Sequence, residues 1–334
     1  MLSTAPLKVS GNVSHRNELF IAKCNFVRKR ILDYIGSGWE LAIIPCSGTG
    51  AVEAMIASAD GDNCNVLVNG TYAERMADIA GKYKDVVESI YDNNDGEMQR
   101  IKSWKNPAPG LVIPWIFMVH GETYSGVVND LDAVLDEAKK EGKYVGIDAM
   151  STFLFERIPF KNENLGMVAF SSCKGLKCNP GIGFVAYRPE LVNENKKGHY
   201  LDVQRWSKDF PFTPTVTVID ELWEKFRNNV NSIYQSPSKN EFNSIRLRRS
   251  LRMYGFNVLV DDNYAMNCIT VVQMDNIEEK NNLIEFCKNL DIEIYGGEGN
   301  TVRFSVINIF DGGDLNFDFL LSVLWEWKDD QPKR

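Results

Sequence analysis

Two ionisable residues stand where strongly apolar runs stop. Tyr144-Val145-Gly146-Ile147 closes on Asp148, and Met167-Val168-Ala169-Phe170 leads through Ser171-Ser172-Cys173 to Lys174, with Pro180-Gly181-Ile182-Gly183-Phe184 beyond. Short runs of this kind read as strands, and the chain repeats them at 41–44, 65–68, 86–90, 115–119, 145–147, 167–170 and 183–187. Amphipathic stretches at 50–58, 73–83 and 131–140 read as helices. The alternation predicts an α/β fold with a mostly parallel seven-stranded sheet and crossover helices, over residues 18–230. Ligands of open sheets gather beyond the carboxyl ends of the strands, so both residues are expected on one shared edge.

After Pro214 the pattern changes. Long helical stretches at 218–234 and 239–254 precede a β-α-β-α run at 268–273, 280–290, 301–307 and 317–327. This predicts a smaller α+β domain, made of residues 1–17 with 231–334. A chain of 334 residues, 44% hydrophobic and 25% charged, has enough apolar content for both cores. The formal charge of -8, without a long basic block, argues against nucleic acid or an anionic membrane as partner and leaves small metabolites. No stretch of about 18 apolar residues is present and Met1-Leu2-Ser3-Thr4-Ala5-Pro6 has no signal-like core, so a cytoplasmic location is the expectation. Seven scattered cysteines predict free thiols, and with only three histidines they form no zinc spacing, so no metal is expected.

A lysine amine and a carboxylate at strand ends match what pyridoxal 5'-phosphate requires. The amine condenses with its aldehyde, and the acid pairs with the pyridine nitrogen so that the ring accepts electrons. Burying Asp148 is costly without a cation, although it also suits a cap on the segment from Ala149. Two readings compete with Lys174 as the amine, a plain surface lysine or Lys177 in its place; the position directly after the strand favours Lys174. Pro45-Cys46-Ser47-Gly48-Thr49-Gly50 joins a strand to a helix, making Ser47, Gly48 and Thr49 a candidate phosphate cradle or simple N-caps. In Asn69-Gly70-Thr71-Tyr72, Tyr72 is either an aromatic platform for the ring or a core residue. Thr123, in His120-Gly121-Glu122-Thr123-Tyr124-Ser125-Gly126, is either a donor to the phenolic oxygen of the cofactor or part of a simple turn. Arg303 lies inside the apolar run Thr301–Val306, where its planar fork suits a substrate carboxylate unless the strand is an edge facing water.

Taken in order, these segments resemble the class V aminotransferases of fold type I. The likeness rests on Val13-Ser14-His15-Arg16, Ser47-Gly48-Thr49 with Ala51-Val52-Glu53-Ala54, Asn69 through Met76, His120-Gly121-Glu122-Thr123, Asp148-Ala149-Met150-Ser151, and Lys174 through Phe184. The resemblance implies that Ser47, Gly48 and Thr49 bind the cofactor phosphate, Tyr72 stacks on the ring and Thr123 meets its phenolic oxygen. It implies also that Asp148 pairs with the ring nitrogen, Lys174 is the catalytic base and Arg303 holds the carboxylate. It further implies a homodimer with shared active sites, in which Thr213 or Thr215 of one chain reaches the phosphate of the other. Within the family the likeness is to enzymes that move the amino group of 2-aminoethylphosphonate to pyruvate. The departures are Val9-Ser10-Gly11-Asn12 for a Pro-Gly-Pro opening, Cys173 for an amide before the lysine, and Phe304-Ser305-Val306-Ile307-Asn308 for Ile-Gly-Asn after the arginine. The expected activity is therefore transamination from a small amine or amino acid to a keto acid such as pyruvate. Alanine/serine:glyoxylate-type transfer and a lyase or decarboxylase on the same fold are the alternatives.

Overall fold

The computed structural model describes residues 17–90, 100–101, 112–192, 199–208, 210–228, 232–306 and 314–329. The Val13–Arg16 segment and the Ile307-Asn308 end of the departure after Arg303 lie outside the described residues.

Helix α1 (Glu18–Ile35) was not among the expected elements. Asn17 starts it by accepting from the Leu19 N–H, and Phe20, Cys24, Val27, Ile31 and Ile35 form one buried stripe at helical spacing. Strand β1 (Glu40–Ile44), helix α2 (Gly48–Ser58), β2 (Asn63–Val68), α3 (Thr71–Ala80) and β3 (Asp85–Ile90) follow. After β4 (Trp115–Val119) comes a small hairpin, β5 (Gly121–Glu122) and β6 (Val127–Val128), then α4 (Leu131–Lys140), β7 (Tyr144–Asp148), β8 (Leu165–Ser171) and β9 (Gly183–Tyr187). All seven expected strands join one sheet in the order β1-β9-β8-β7-β4-β2-β3. Neighbours from β8 to β3 run parallel, whereas β9 is antiparallel to both β8 and β1.

Alternate side chains of these strands enter two separate cores, which is why the strands read as unbroken apolar runs. Ile43, Met118, Ile147, Val168 and Phe170 pack with α1 and α4 on one face. Ile44, Val66, Phe117, Val119 and Ala169 pack with α2 and α3 on the other. The register sets Asp148 opposite Val119 on one side and Ala169 on the other, so the strand ends form a level edge.

Beyond α5 (Val203–Lys208) and α6 (Val216–Asn228), the long α7 (Ser232–Met253) carries Pro237 inside it. The expected helices at 218–234 and 239–254 are thus bounded differently: the first ends at Asn228 and the second runs through Pro237. Pro237 falls in the second turn of α7, past the first turn in which proline costs no helix bond. The remaining elements are β10 (Asn257–Val258), β11 (Ile269–Gln273), α8 (Ile277–Asn289), β12 (Tyr295–Gly296), β13 (Thr301–Ser305) and α9 (Asp314–Asp329). They form an α+β unit around an antiparallel sheet, β10-β11-β13-β12, whose core joins Leu247, Val272, Leu283, Val302, Phe304 and Leu324.

Candidate active site

A cavity of about 170 Å³ opens at the carboxyl edge of the large sheet. Six residues singled out in the sequence line it: Gly48, Thr49, Tyr72, Thr123, Asp148 and Lys174. Ser47, Thr213, Thr215 and Arg303 are not in its lining. Lys177 is also absent from it, and belongs to the turn after Lys174: its φ is +52°, its N–H donates to the Lys174 carbonyl at 2.9 Å, and its own carbonyl accepts from Lys225. Of the two lysines, only Lys174 reaches the cavity. Gly175 makes that turn possible, because a Cβ there would lie 2.0 Å from the Phe153 carbonyl oxygen.

Asp148 is buried at the end of β7. Its Oδ1 accepts from the Met150 N–H at 2.9 Å, so it does cap the following turn, while it also lines the cavity. Burial pushes its carboxyl up to about 6, against the opposite pull of the Met150 N–H and of Arg75 and Lys174. The two readings of this residue therefore coexist. His120, at the end of β4, is kept neutral by burial, which pushes it down to about 4, and its Nδ1 lies 3.0 Å from Thr152 Oγ1. Thr123 Oγ1 and Ser151 Oγ are 2.8 Å apart.

Ser47 caps α2 by accepting from the Gly50 N–H at 3.3 Å. Gly48 and Thr49, in the first turn, present the helix start to the cavity, where exposed N–H groups and the helix dipole favour an anion. Helix α3 contributes Tyr72, Arg75, Met76 and Ile79, one face at helical spacing. Tyr72 stacks on Tyr124 with ring centroids 5.5 Å apart, the Arg75 guanidinium lies 5.0 Å from the Tyr72 ring, and the Arg303 guanidinium lies 4.6 Å from the Tyr124 ring. Arg303 thus approaches the cavity through two stacked rings. Its strand is interior to the second sheet, paired with β11 and β12, so the reading as an exposed edge does not hold. Its Nε and Nη2 both donate to the Gly296 carbonyl, at 3.1 and 2.8 Å.

Thr213 is exposed, and Thr215 Oγ1 donates to the Gly181 carbonyl at 3.3 Å. Among the described residues no group of three or more His, Cys, Asp or Glu is placed to hold a metal, and no helix is long and apolar enough to cross a membrane. The cysteine thiol nearest the cradle, Cys46, is pushed up to about 12 by burial and stays protonated.

The residues present fit pyridoxal phosphate. A buried carboxylate that accepts from the Met150 N–H at a strand end suits a ring nitrogen cation; a helix start suits a phosphate; an amine lies on the same wall. A sequence model of the aminotransferase class-V family matches residues 5–203, more than half of the chain. The chain belongs to the class-V aminotransferases. As a member of that family it is a pyridoxal phosphate-dependent transaminase. The 2-aminoethylphosphonate–pyruvate transaminase of Salmonella heidelberg (strain SL476) is 28% identical over 253 residues, 70% of this chain and 67% of that protein. The soluble hydrogenase small subunit of Synechococcus sp. (strain PCC 6716) is 26% identical over 280 residues, 78% of this chain and 71% of that protein. The crystal structure of an aspartate aminotransferase of subgroup IV from Thermus thermophilus superposes with a TM-score of 0.80 at 21% identity, covering 96% of this chain and 93% of that one, a likeness of fold.

Two residues of this aminotransferase site, Glu122 and Tyr124, were given no role from the sequence; Arg75 is a cation that the sequence offers, with Arg16 and Lys177, for an anionic donor. Glu122 and Tyr124 flank Thr123 in a segment read for its threonine alone. Glu122 lies three residues past the apolar run Trp115–Val119, without the adjacency to the strand that marks Asp148. Arg75 follows Tyr72 by one helical turn, which by itself puts both on one face.

Proposed function

We propose that this transaminase moves the amino group of a small amine, 2-aminoethylphosphonate or one like it, or of an amino acid, to a keto acid such as pyruvate. The single observation that carries the reading is Asp148 and Lys174 lining one cavity at the sheet edge. Lys174 Nζ would hold the cofactor at rest and, when free, would accept the proton from the amine-bearing carbon of the donor and pass it on. When bound, the protonated pyridine ring withdraws electrons from that carbon. The Asp148 carboxylate holds the proton on the ring nitrogen. Ser47, Gly48 and Thr49 bind the phosphate, Tyr72 stacks on the ring, and Thr123 turns its hydroxyl from Ser151 to the phenolic oxygen. Arg303 binds the acceptor carboxylate: of five N–H groups two go to Gly296, which leaves three for the ligand.

The choice of donor is supported by the name of the Salmonella relative and by Arg75, a cation in the cavity that suits an anionic amine. We place the active unit as a cytoplasmic homodimer in which a second copy supplies Thr213 or Thr215 to the phosphate. The exposure of Thr213, against the bonded hydroxyl of Thr215, favours the former. Residues 18–230 make the cofactor-binding domain, and 1–17 with 231–334 the smaller one. A panel of amines with pyruvate, read as alanine formed, tests the reaction. Stoichiometric conversion to the amino form of the cofactor by one amine supports transfer. Catalytic release of ammonia or carbon dioxide would replace it with lyase or decarboxylase chemistry, and turnover with glyoxylate but not pyruvate with alanine/serine:glyoxylate transfer.

A further inference from the structure

Glu122 is a buried acid that none of these roles uses. It is 1% exposed, and its carboxylate spans the backbones of both stacked tyrosines: Oε2 accepts from the Tyr72 N–H at 3.1 Å and Oε1 from the Tyr124 N–H at 3.5 Å. The Ala73 N–H is a further donor to it. Helix α3 has no side-chain cap of its own at Gly70, and a Cβ on Gly70 would lie 2.5 Å from the Glu122 side chain. The bare glycine and the inserted acid are therefore one arrangement, in which a carboxylate from β5 caps the helix start. The same helix start is tied to the second sheet, since Thr71 Oγ1 donates to Glu298 Oε1 at 2.7 Å, two residues from the Gly296 carbonyl that holds Arg303.

We propose that Glu122 is a positioning residue: by accepting from the Tyr72 and Tyr124 backbones at once it fixes the stacked pair, and through that pair it sets the Arg303 guanidinium over the acceptor site. The inference rests on the reading above for the roles of Tyr72 and Arg303, and adds to it a coupling between the ring platform and the keto-acid clamp. Both carboxylate oxygens must accept. Glutamine has the same shape but a single acceptor oxygen, so its amide nitrogen would face one tyrosine N–H, donor against donor. Protonation does the same to one oxygen. The ionisable groups around Glu122 are Tyr72, Tyr124 and Asp148, with Arg75 and Arg303 against the two rings. Burial pushes Glu122 up to about 7 and the Asp148 charge adds to that, so the grip on the tyrosines loosens as pH falls through that value.

The test compares Glu122→Gln, Tyr124→Leu and Arg303→Lys with the unmodified holoenzyme, using pyruvate as acceptor. Steady-state KM and kcat across pH, the visible circular dichroism of the bound cofactor and the thermal midpoint are measured. Glu122→Gln should raise the pyruvate KM about tenfold, the effect of losing one hydrogen bond to a charged group. It should also weaken the cofactor dichroism and remove the rise of KM on the acid side of neutrality, with the thermal midpoint held. Tyr124→Leu should raise KM and leave the dichroism. Wild-type KM and dichroism in Glu122→Gln, or a fall in thermal midpoint alone, overturns the positioning role. An unchanged KM in Arg303→Lys overturns instead the clamp assigned to Arg303, and the dichroism of Glu122→Gln then still decides the role of Glu122.

Discussion

The edge of the seven-stranded sheet and the four-stranded sheet place their charged residues by opposite means. Asp148 ends a strand packed on both faces, and burial lifts its carboxyl to about 6 even against the pull of the Met150 N–H, Arg75 and Lys174. Arg303 lies in the middle of a strand, half-buried, with two of its N–H groups on a carbonyl and its guanidinium against an aromatic face. An acid prepared by desolvation should be decisive for cofactor binding and chemistry. A cation held by stacking should be adjustable, and matter for one substrate only. Substitutions on each side separate the two.

The largest effect belongs to the sheet edge. Lys174→Ala should remove the visible absorption of the bound cofactor and lower turnover by about a thousandfold or more, as loss of a positioned proton carrier does. Retained absorption would transfer the role to Lys177. Asp148→Asn should lower turnover by about a hundredfold, because a buried charge pair with the ring is broken at a cost of about 3 kcal/mol. Isothermal titration of the cofactor into that variant should show weaker binding, and unchanged affinity would remove Asp148 from the ring nitrogen.

The same residue should act in the reverse direction on the cofactor-free protein. The folded carboxyl is raised from 3.8 to about 6, so its contribution to stability is full below the ordinary value and is lost as pH rises through about 6. The loss amounts to about 3 kcal/mol at most. Cofactor-free Asp148→Asn should therefore resist urea better than the wild type at neutral pH, with the gap closing as pH falls to about 4. A gap independent of pH would show that the acid is not desolvated. Cofactor should stabilise the wild type more than the variant.

The smallest effect belongs to the second sheet. Arg303→Lys should raise the KM for a keto acid by about tenfold, through loss of a planar two-point fork, while cofactor absorption stays unchanged. A loss of cofactor in this variant would erase the distinction between the two regions.

The large sheet was legible because parallel strands buried on both faces announce themselves as apolar runs, and the residues that end them fall on one edge. That logic identified Gly48, Thr49, Tyr72, Thr123, Asp148 and Lys174 as cavity residues. It could not find Glu122 or Tyr124, whose contacts are to the backbone of α3 and to a ring more than fifty residues away in sequence, a relation no local pattern contains. Helix α1 escaped for a related reason: its stripe of Phe20, Cys24 and Val27 is interrupted by charged residues and precedes the first strand, outside the strand–helix alternation. The break before α7 is misplaced: the expected gap between 234 and 239 holds Pro237, which α7 carries in its second turn.

Reduction of the purified holoprotein with borohydride, followed by peptide mass mapping, bears most directly on the site. The cofactor should be found fixed to the ε-amine of Lys174. Its recovery on Lys177, or on no lysine at all, would contradict the account.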